Sequence, residues 1–188
     1  YKAVLSYGDI TSETMIEVKS DPRLEVSTKN IDEVYDSLKE LEQWQQIAAD
    51  AVKQLVENKS IAEKFKKDLS TLDKEAYKDQ IKASKDVIKS INELLDIYFG
   101  KQDDRQGITR NREVTPLQRL GLAGNYVSNS QNGLTSTETT LINHAKKALN
   151  DVLTKTNTFF NEDWSAYHDT MKDLQMNPFK VVKSFKVD

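Results

Sequence analysis

Cysteine is absent from this 188-residue sequence, and glycine and proline are scarce, at six and three residues. The missing thiols exclude disulfides, thiolate metal sites and cysteine nucleophiles. No apolar run approaches the roughly 18 residues that a membrane-spanning helix requires. The formal net charge is only −3, so the chain has no strong positive field with which to hold nucleic acid. Composition alone therefore argues against nucleic-acid binding and against a membrane span.

Groups that carry catalysis are also few. The two histidines, His144 and His168, lie far apart, and neither has a second histidine four residues away as a helical zinc motif requires. Ser165 lies one helical turn before His168, but no nucleophile elbow of the G-x-S-x-G type is present. The glycines do not form a phosphate-binding loop. We therefore expect no catalytic residue, no metal ligand and no cofactor in this chain.

Charged residues make up 30% of the chain and apolar residues 37%, a balance typical of amphipathic helices that each bury one stripe. A near-heptad apolar pattern predicts a first helix over residues 27–58, with Ser27 or Asn30 as its N-cap. The polar run from Asn58 to Ser60 then predicts a break, followed by a shorter helix.

Capping residues delimit the remaining helices. Later helix starts are predicted at Ser70 or Thr71, at Thr115 with Pro116 in the first turn, and at Thr135 with Glu138 as a capping box. Gly100 is expected to end the second long helix in a left-handed conformation. Residues 161–163 are expected to bend or restart the last helix. An extended tail should then dock back on the bundle through Phe179, Val181, Val182 and Phe185. The prediction is a mainly α fold, a four- to five-helix bundle.

The first residues follow a different period. Tyr1, Ala3, Leu5 and Tyr7 alternate with polar or smaller residues, and Gly8 with Asp9 forms a turn signal, so residues 1–20 predict a β-hairpin. Because an isolated hairpin is only marginally stable in water, it must pack on the helices or belong to a sheet that lies upstream. The abrupt start in mid-strand favours the second interpretation. We therefore divide the chain into a hairpin at 1–20 and a helical domain at 21–188.

A long connection at 101–114 separates the two helical halves and is rich in arginine. Four of the five arginines of the chain lie in or just after it, whereas the helices use mainly lysine. Arginine presents a planar fork of donors that holds carboxylates or carbonyl groups. The arginines could therefore tie down the loop, or they could form an exposed surface for an acidic glycan, a peptide or another domain. The candidate binding or docking residues are Arg105, Arg110, Arg112, Arg119 and Tyr126.

Several short motifs resemble the C-terminal helical region of bacterial sortilin-like proteins, which carry BNR-repeat β-propellers and are often labelled glycosyl hydrolases. The motifs are Gly100-Lys101, the run 104–110, Tyr126-Val127, Asn132-Gly133 with Thr135, Thr137 and Glu138, Phe159-Phe160-Asn161, and Asp163-Trp164 with Tyr167. Asp21-Pro22-Arg23 is similar to the junction before that region. Arg112 and Leu134 stand where many relatives have proline, so the local turns differ from the family pattern there.

The resemblance implies that residues 1–20 are the last strands of an Ig-like segment and that the parent is a large exported protein. The partners it implies are the upstream propeller and Ig-like domains, with a separate protein or a glycan as the alternative ligand. Any enzymatic activity would belong to the propeller, so we expect this chain to be noncatalytic. Two rival interpretations are an accessory domain that lends loop arginines to a substrate site on the propeller, and a free-standing coiled-coil adaptor with an exposed apolar seam.

Overall fold

The computed structural model of the chain describes residues 1–19, 21–23, 26–101, 114–130 and 132–174. It is a helical bundle preceded by a two-stranded antiparallel hairpin, which confirms the predicted fold class. Most of the arginine-rich connection, residues 102–113, and the C-terminal segment 175–188 lie outside the described residues. The docking of the tail on the bundle therefore stays a prediction, as does the division at residue 20.

Helix α1 is one continuous helix, Thr28–Leu72, and the predicted break at Asn58 is wrong. The Asn58 side-chain amide donates to the backbone carbonyl of Gln54 at 2.8 Å, so its polar group is satisfied without leaving the helix. The apolar stripe through which α1 packs on the other helices also continues across this point without a change of register. Every seventh residue is fully or almost fully buried: Leu41, Ala48, Leu55, Ala62 and Leu69. Packing along this heptad stripe outweighs a locally unfavourable polar run.

The predicted start at Ser70 or Thr71 is also wrong, because both residues lie inside the last turn of α1. Their hydroxyls donate to backbone carbonyls four residues earlier, at 2.6 and 2.9 Å, instead of capping a new helix. The turn begins at Asp73, whose carboxylate accepts from the backbone N–H groups of Glu75 and Ala76. Helix α2, Lys78–Phe99, follows and ends at Gly100 with a φ of 86°, as predicted.

The second half contains α3, Pro116–Ser128, and α4, Ser136–Phe159. Both predicted caps are confirmed, since Thr115 forms a capping box with Gln118, and Thr135 forms one with Glu138. Residues 161–163, where a bend or a restart was expected, lie in a π-helical turn, Phe160–Trp164, through which α4 continues into α5, Ser165–Lys172, so the helix does not restart there. A π turn accommodates one extra residue within a continuous helix.

Long-range side-chain hydrogen bonds define how the helices run relative to one another. The Asn30 amide donates to the carbonyl of Asn132 at 2.7 Å, so α1 and α4 start at the same end of the bundle. Buried hydroxyl pairs then tie α2 to the other long rod: Tyr98 with Thr156, and Ser84 with Tyr167, each at 3.1 Å. In chain order these pairs run in opposite directions, so α2 is antiparallel to the continuous rod of α4 and α5.

Helices α2 and α3 together form a third rod that is interrupted between Gly100 and Thr115. A Cβ atom added to Gly100 would lie 3.3 Å from Cγ2 of Thr115, so the two ends of the connection are in contact. Trp44 and Trp164 are partly buried and pack against the core. A cross-section of the bundle therefore contains three helices along its length. The connection leaves the bundle and rejoins it at one point.

Candidate docking surfaces

The hairpin consists of β1, Lys2–Tyr7, and β2, Ile10–Met15, with Leu5 opposite Ser12 and Tyr7 opposite Ile10. Directly opposed residues of an antiparallel pair share one face of the sheet. One face therefore collects most of the large apolar side chains of the hairpin: Tyr1, Leu5, Tyr7, Ile10 and Ile16. We call this set, together with Ala3, the hairpin face. Four of these side chains are at least 73% exposed, so the helices of the described part do not cover them.

This exposure is unusual for a folded domain. Single exposed apolar residues are ordinary, whereas a contiguous apolar patch marks a contact surface for another molecule. A two-stranded hairpin also needs a further strand or a packing partner to be stable in water. The opposite face is mixed, since it carries Val4 and Met15 beside the ion pair of Lys2 with Glu13, 2.7 Å apart. The hairpin face is thus the strongest candidate contact surface in the described chain.

The predicted docking residues are only partly described. Arg105, Arg110 and Arg112 lie outside the described residues, so their interpretation as a binding surface stays a prediction. Arg119 and Tyr126 both lie on α3, seven residues apart and hence on one face of the helix. Tyr126 is 45% exposed and Arg119 is half-buried. The structure brings these two residues to the same flank of the bundle.

A second surface was not predicted from the sequence. An open apolar groove of about 690 Å³ lies between α1 and α3, next to the last residue of α2. Its walls include Val52, Val56, Phe99, Leu117 and Gly121. At 100° per residue, Leu117 and Gly121 face about 140–180° away from Arg119 and Tyr126, so the groove lies on the other flank of α3.

The small residues that line this groove are the one indication of it in the sequence. Gly121 leaves open space, because no heavy atom lies within 4 Å of a Cβ built on it. Ala48 and Ala49 of α1 present similarly small side chains to the same gap. Small residues on two facing helices either allow the helices to pack closely or leave a depression between them. Only the register of the two helices decides which of these outcomes occurs. Here the interrupted rod leaves the depression unfilled, and Phe99 remains 59% exposed beside it.

The coiled-coil interpretation depended on an exposed apolar seam along the first helix. Leu41, Ala48 and Leu55 are instead buried against helices of the same chain. The exposed apolar residues of α1, such as Tyr35 and Ile47, lie beside this stripe and not on it. The buried seam contradicts the interpretation of the chain as a coiled-coil adaptor.

The polar groups of the core are explained by packing. Burial raises the pKa of Tyr98 and of Tyr167, and their hydrogen bonds to Thr156 and Ser84 oppose the shift only in part. The hydrogen bond from the Thr135 hydroxyl, with those from backbone N–H groups, lowers the pKa of Glu138. Within the described ranges every buried side-chain nitrogen or oxygen has a hydrogen-bond partner. These shifts therefore reflect helix packing and capping.

The other ionisable groups that the structure describes do not converge on a site. His168 is exposed, with Nδ1 3.6 Å from a carboxylate oxygen of Asp169. Lys172 donates to the same carboxylate at 3.0 Å and is the main reason that the pKa of Asp169 is lowered. Among the residues that the structure describes, no group of three or more histidine, aspartate or glutamate side chains is placed to hold a metal ion.

Helices in the described ranges are too polar or too short to cross a lipid bilayer. Comparison with known proteins yields no family model that matches the chain, and neither a curated protein nor a solved structure matches it. The resemblance to the sortilin-like region therefore stays a prediction, and the surfaces described above are the basis of the proposed function.

Proposed function

We propose that this chain is a noncatalytic helical domain that acts by docking to other folded protein, and that the hairpin face is its docking surface. The exposure of that face carries the proposal. Tyr7 and Leu5 are 84% and 75% exposed, although both belong to a strand with one apolar and one mixed face. Burying such side chains is worth roughly 1.5–3 kcal/mol each, which is enough for a specific contact.

The bundle suits this role because the hairpin precedes α1, and α1 starts at one end of a long, well-packed rod. At about 1.5 Å per residue, α1 alone is roughly 67 Å long. Buried hydroxyl pairs fix the register of the other helices against one another. A rod of this length keeps the point at which the hairpin is attached far from the other end of the bundle.

The partner that fits the sequence resemblance is an upstream Ig-like and propeller region of an exported sortilin-like parent. In that arrangement the hairpin face packs on the remaining strands of the Ig-like segment. This partner, and the export of the parent, are proposals that rest on the motifs between residues 100 and 167. The exposed hairpin face supports the packing itself, whichever folded partner supplies the other side.

The alternative is an accessory domain whose arginines contribute to a substrate site on the propeller. Arg119 and Tyr126 share one flank of α3, which is compatible with this role, but neither lines a described pocket. No feature of the described residues favours a glycan over a protein on that flank. The accessory role is therefore the second candidate.

A binding titration separates the two candidates. The chain is titrated into a separately produced bacterial sortilin-like propeller with its Ig-like segment, and binding is followed by calorimetry. Leu5→Asp places a charge on the hairpin face, and Val4→Asp is its matched control on the opposite face. A third variant replaces Arg105, Arg110 and Arg112 with alanine.

Loss of binding with Leu5→Asp alone supports the hairpin as the docking surface. Loss with the arginine variant alone supports the accessory role. If the wild-type chain does not bind at all, docking to a parent of this kind is wrong. Circular dichroism of each variant verifies that the helices are intact, since none of the substitutions lies in the described core.

A further inference from the structure

We infer that Asn132 is a site of spontaneous deamidation, and that its contact with Asn30 sets the rate at which the folded chain is modified. This site lies in the turn between α3 and α4 and shares no residue with the hairpin face, so it is separate from the proposed docking. Three observations support it. Glycine follows Asn132, the nitrogen of that glycine is not held in a helix, and Asn30 packs on the same glycine.

Deamidation of asparagine is an attack by the chain on its own side chain. The backbone nitrogen of the following residue bonds to the side-chain carbonyl carbon, while the side-chain nitrogen takes up the displaced proton and leaves as ammonia. The product is a succinimide ring, which water opens at either of its two carbonyl groups. One opening gives aspartate, and the other gives isoaspartate, in which the main chain runs through the former side chain.

The residue after Asn132 is the one that favours this attack most. A side chain on the following residue hinders the approach of its nitrogen, and glycine has no side chain. No other asparagine of the chain is followed by glycine. Asn132 is also exposed to water, which the second step consumes. The local sequence therefore makes Asn132 the most reactive asparagine of the chain.

Backbone hydrogen bonds also distinguish Asn132 from other asparagines. Inside a helix, the nitrogen that follows an asparagine donates to a carbonyl group one turn earlier, as it does in the interior of α4. Asn129 lies in the same turn as Asn132, but the N–H of Ser130, which follows it, donates to the Val127 carbonyl at 3.1 Å. Among the residues that the structure describes, no backbone carbonyl accepts from the N–H of Gly133.

The contact with Asn30 restrains the reacting nitrogen in the folded chain. The Asn30 side-chain amide donates to the Asn132 carbonyl at 2.7 Å, and that carbonyl belongs to the same peptide group as the nitrogen of Gly133. Because a peptide group is planar and rigid, a bond to its oxygen also limits the rotation of its nitrogen. Gly133 is buried, and a Cβ built on it would lie 2.9 Å from Cγ of Asn30. Asn30 is thus a positioning residue that slows the attack until the contact opens.

The two products affect this contact differently. Aspartate leaves the main chain unchanged, so the carbonyl at position 132 still accepts from Asn30. Isoaspartate inserts a methylene group into the main chain and moves that carbonyl relative to the first turn of α1. Loss of the bond releases the start of α1, which follows the hairpin in the chain, from the α3–α4 turn. Modification therefore loosens this end of the bundle slowly and irreversibly.

Ageing of the 188-residue chain tests the inference. The chain is incubated at mildly alkaline pH, both folded and unfolded in urea, and samples are taken over several weeks. Peptide mapping by mass spectrometry locates the mass gain that accompanies exchange of the amide nitrogen for oxygen, and an isoaspartyl methyltransferase counts the isoaspartate. The gain at Asn132 should be fastest in urea and slower but measurable in the folded chain. Asn129, in the same turn, is the internal control and should remain unmodified in the folded chain.

Asn30→Ala removes the bond to the Asn132 carbonyl and should speed modification of the folded chain about fivefold, the factor that corresponds to one hydrogen bond. Asn58→Ala is the matched control, because the Asn58 amide donates within α1, to the Gln54 carbonyl, and it should leave the rate unchanged. In urea the wild type and both variants should react equally fast. Asn132→Asp reproduces one product and should keep the Tm of the wild type, whereas a chain enriched in isoaspartate should melt at a lower temperature.

Several outcomes would overturn the inference. A folded wild-type chain without a mass gain at Asn132, after the unfolded chain has reacted completely, shows that this is no site of modification in the native protein. Equal rates in the folded wild type and in Asn30→Ala show that the contact with Asn30 does not control the reaction. A rise that Asn129 shares indicates general unfolding of the variant and refutes the same role. Because propeller binding is measured separately, failure here leaves the proposed docking function untouched.

Discussion

Gly133 and Gly121 provide a matched test of the structure, because alanine should have opposite effects at the two positions. Gly133 lies in the turn between α3 and α4 with a φ of +92°, and a Cβ there would be 2.9 Å from Cγ of Asn30. A side chain in left-handed backbone costs about 1–2 kcal/mol. Displacing Asn30 would also break its hydrogen bond to the Asn132 carbonyl, which is worth about 1 kcal/mol.

Gly133→Ala should therefore lower the free energy of unfolding by about 2–3 kcal/mol and the Tm by roughly 5–10 °C for a domain of this size. Gly121 has a helical backbone and open space around it, so Gly121→Ala should raise stability by about 0.5–1 kcal/mol. Thermal and urea unfolding, followed by circular dichroism, measure both changes. Asn30→Ala isolates the hydrogen-bond contribution. A Gly133→Ala variant as stable as the wild type would refute the described contact between the first turn of α1 and the α3–α4 turn.

Two further predictions concern pH. Burial raises the pKa of Tyr98 and Tyr167 in the folded state. Their contribution to the free energy of unfolding is therefore complete below the unfolded tyrosine pKa of about 10 and is lost as the pH rises further. In urea unfolding from pH 8 to 11, the free energy of unfolding should fall more steeply for the wild type than for the Tyr98→Phe, Tyr167→Phe double variant, and equal slopes would contradict this prediction. The pKa of Glu138 is lowered in the folded state. Its capping box therefore stabilises α4 fully at a pH above the ordinary glutamate pKa, and this stabilisation is lost as the pH falls through the folded-state pKa of Glu138. The neutral box of Thr115 at α3 does not titrate, so acid should increase amide hydrogen exchange at the first turn of α4 more than at that of α3; equal increases would count against the assignment.

Structural features that depend only on residues close together in the chain were predictable from the sequence. The N-caps at Thr115 and Thr135 and the end of α2 at Gly100, whose φ is positive, depend on local hydrogen bonds and backbone angles. The hairpin also follows from alternation and a two-residue turn, and its register was recoverable because Gly8 fixes the turn. The apolar face of the hairpin, which carries the proposed docking, was therefore visible in the first seven residues.

Other features depend on residues far apart in the chain. Whether α1 continues through Asn58 was decided by the burial of Leu55 and Ala62 against the neighbouring helices, because a locally polar run is compatible with either a break or a helix. The groove beside Phe99 exists because the continuous helix α1 packs against the interrupted rod of α2 and α3. The spacing of residues along one helix does not specify that arrangement. Local chemistry fixed where most helices end, and tertiary packing alone decided where they continue, which ends meet and which apolar surfaces remain uncovered.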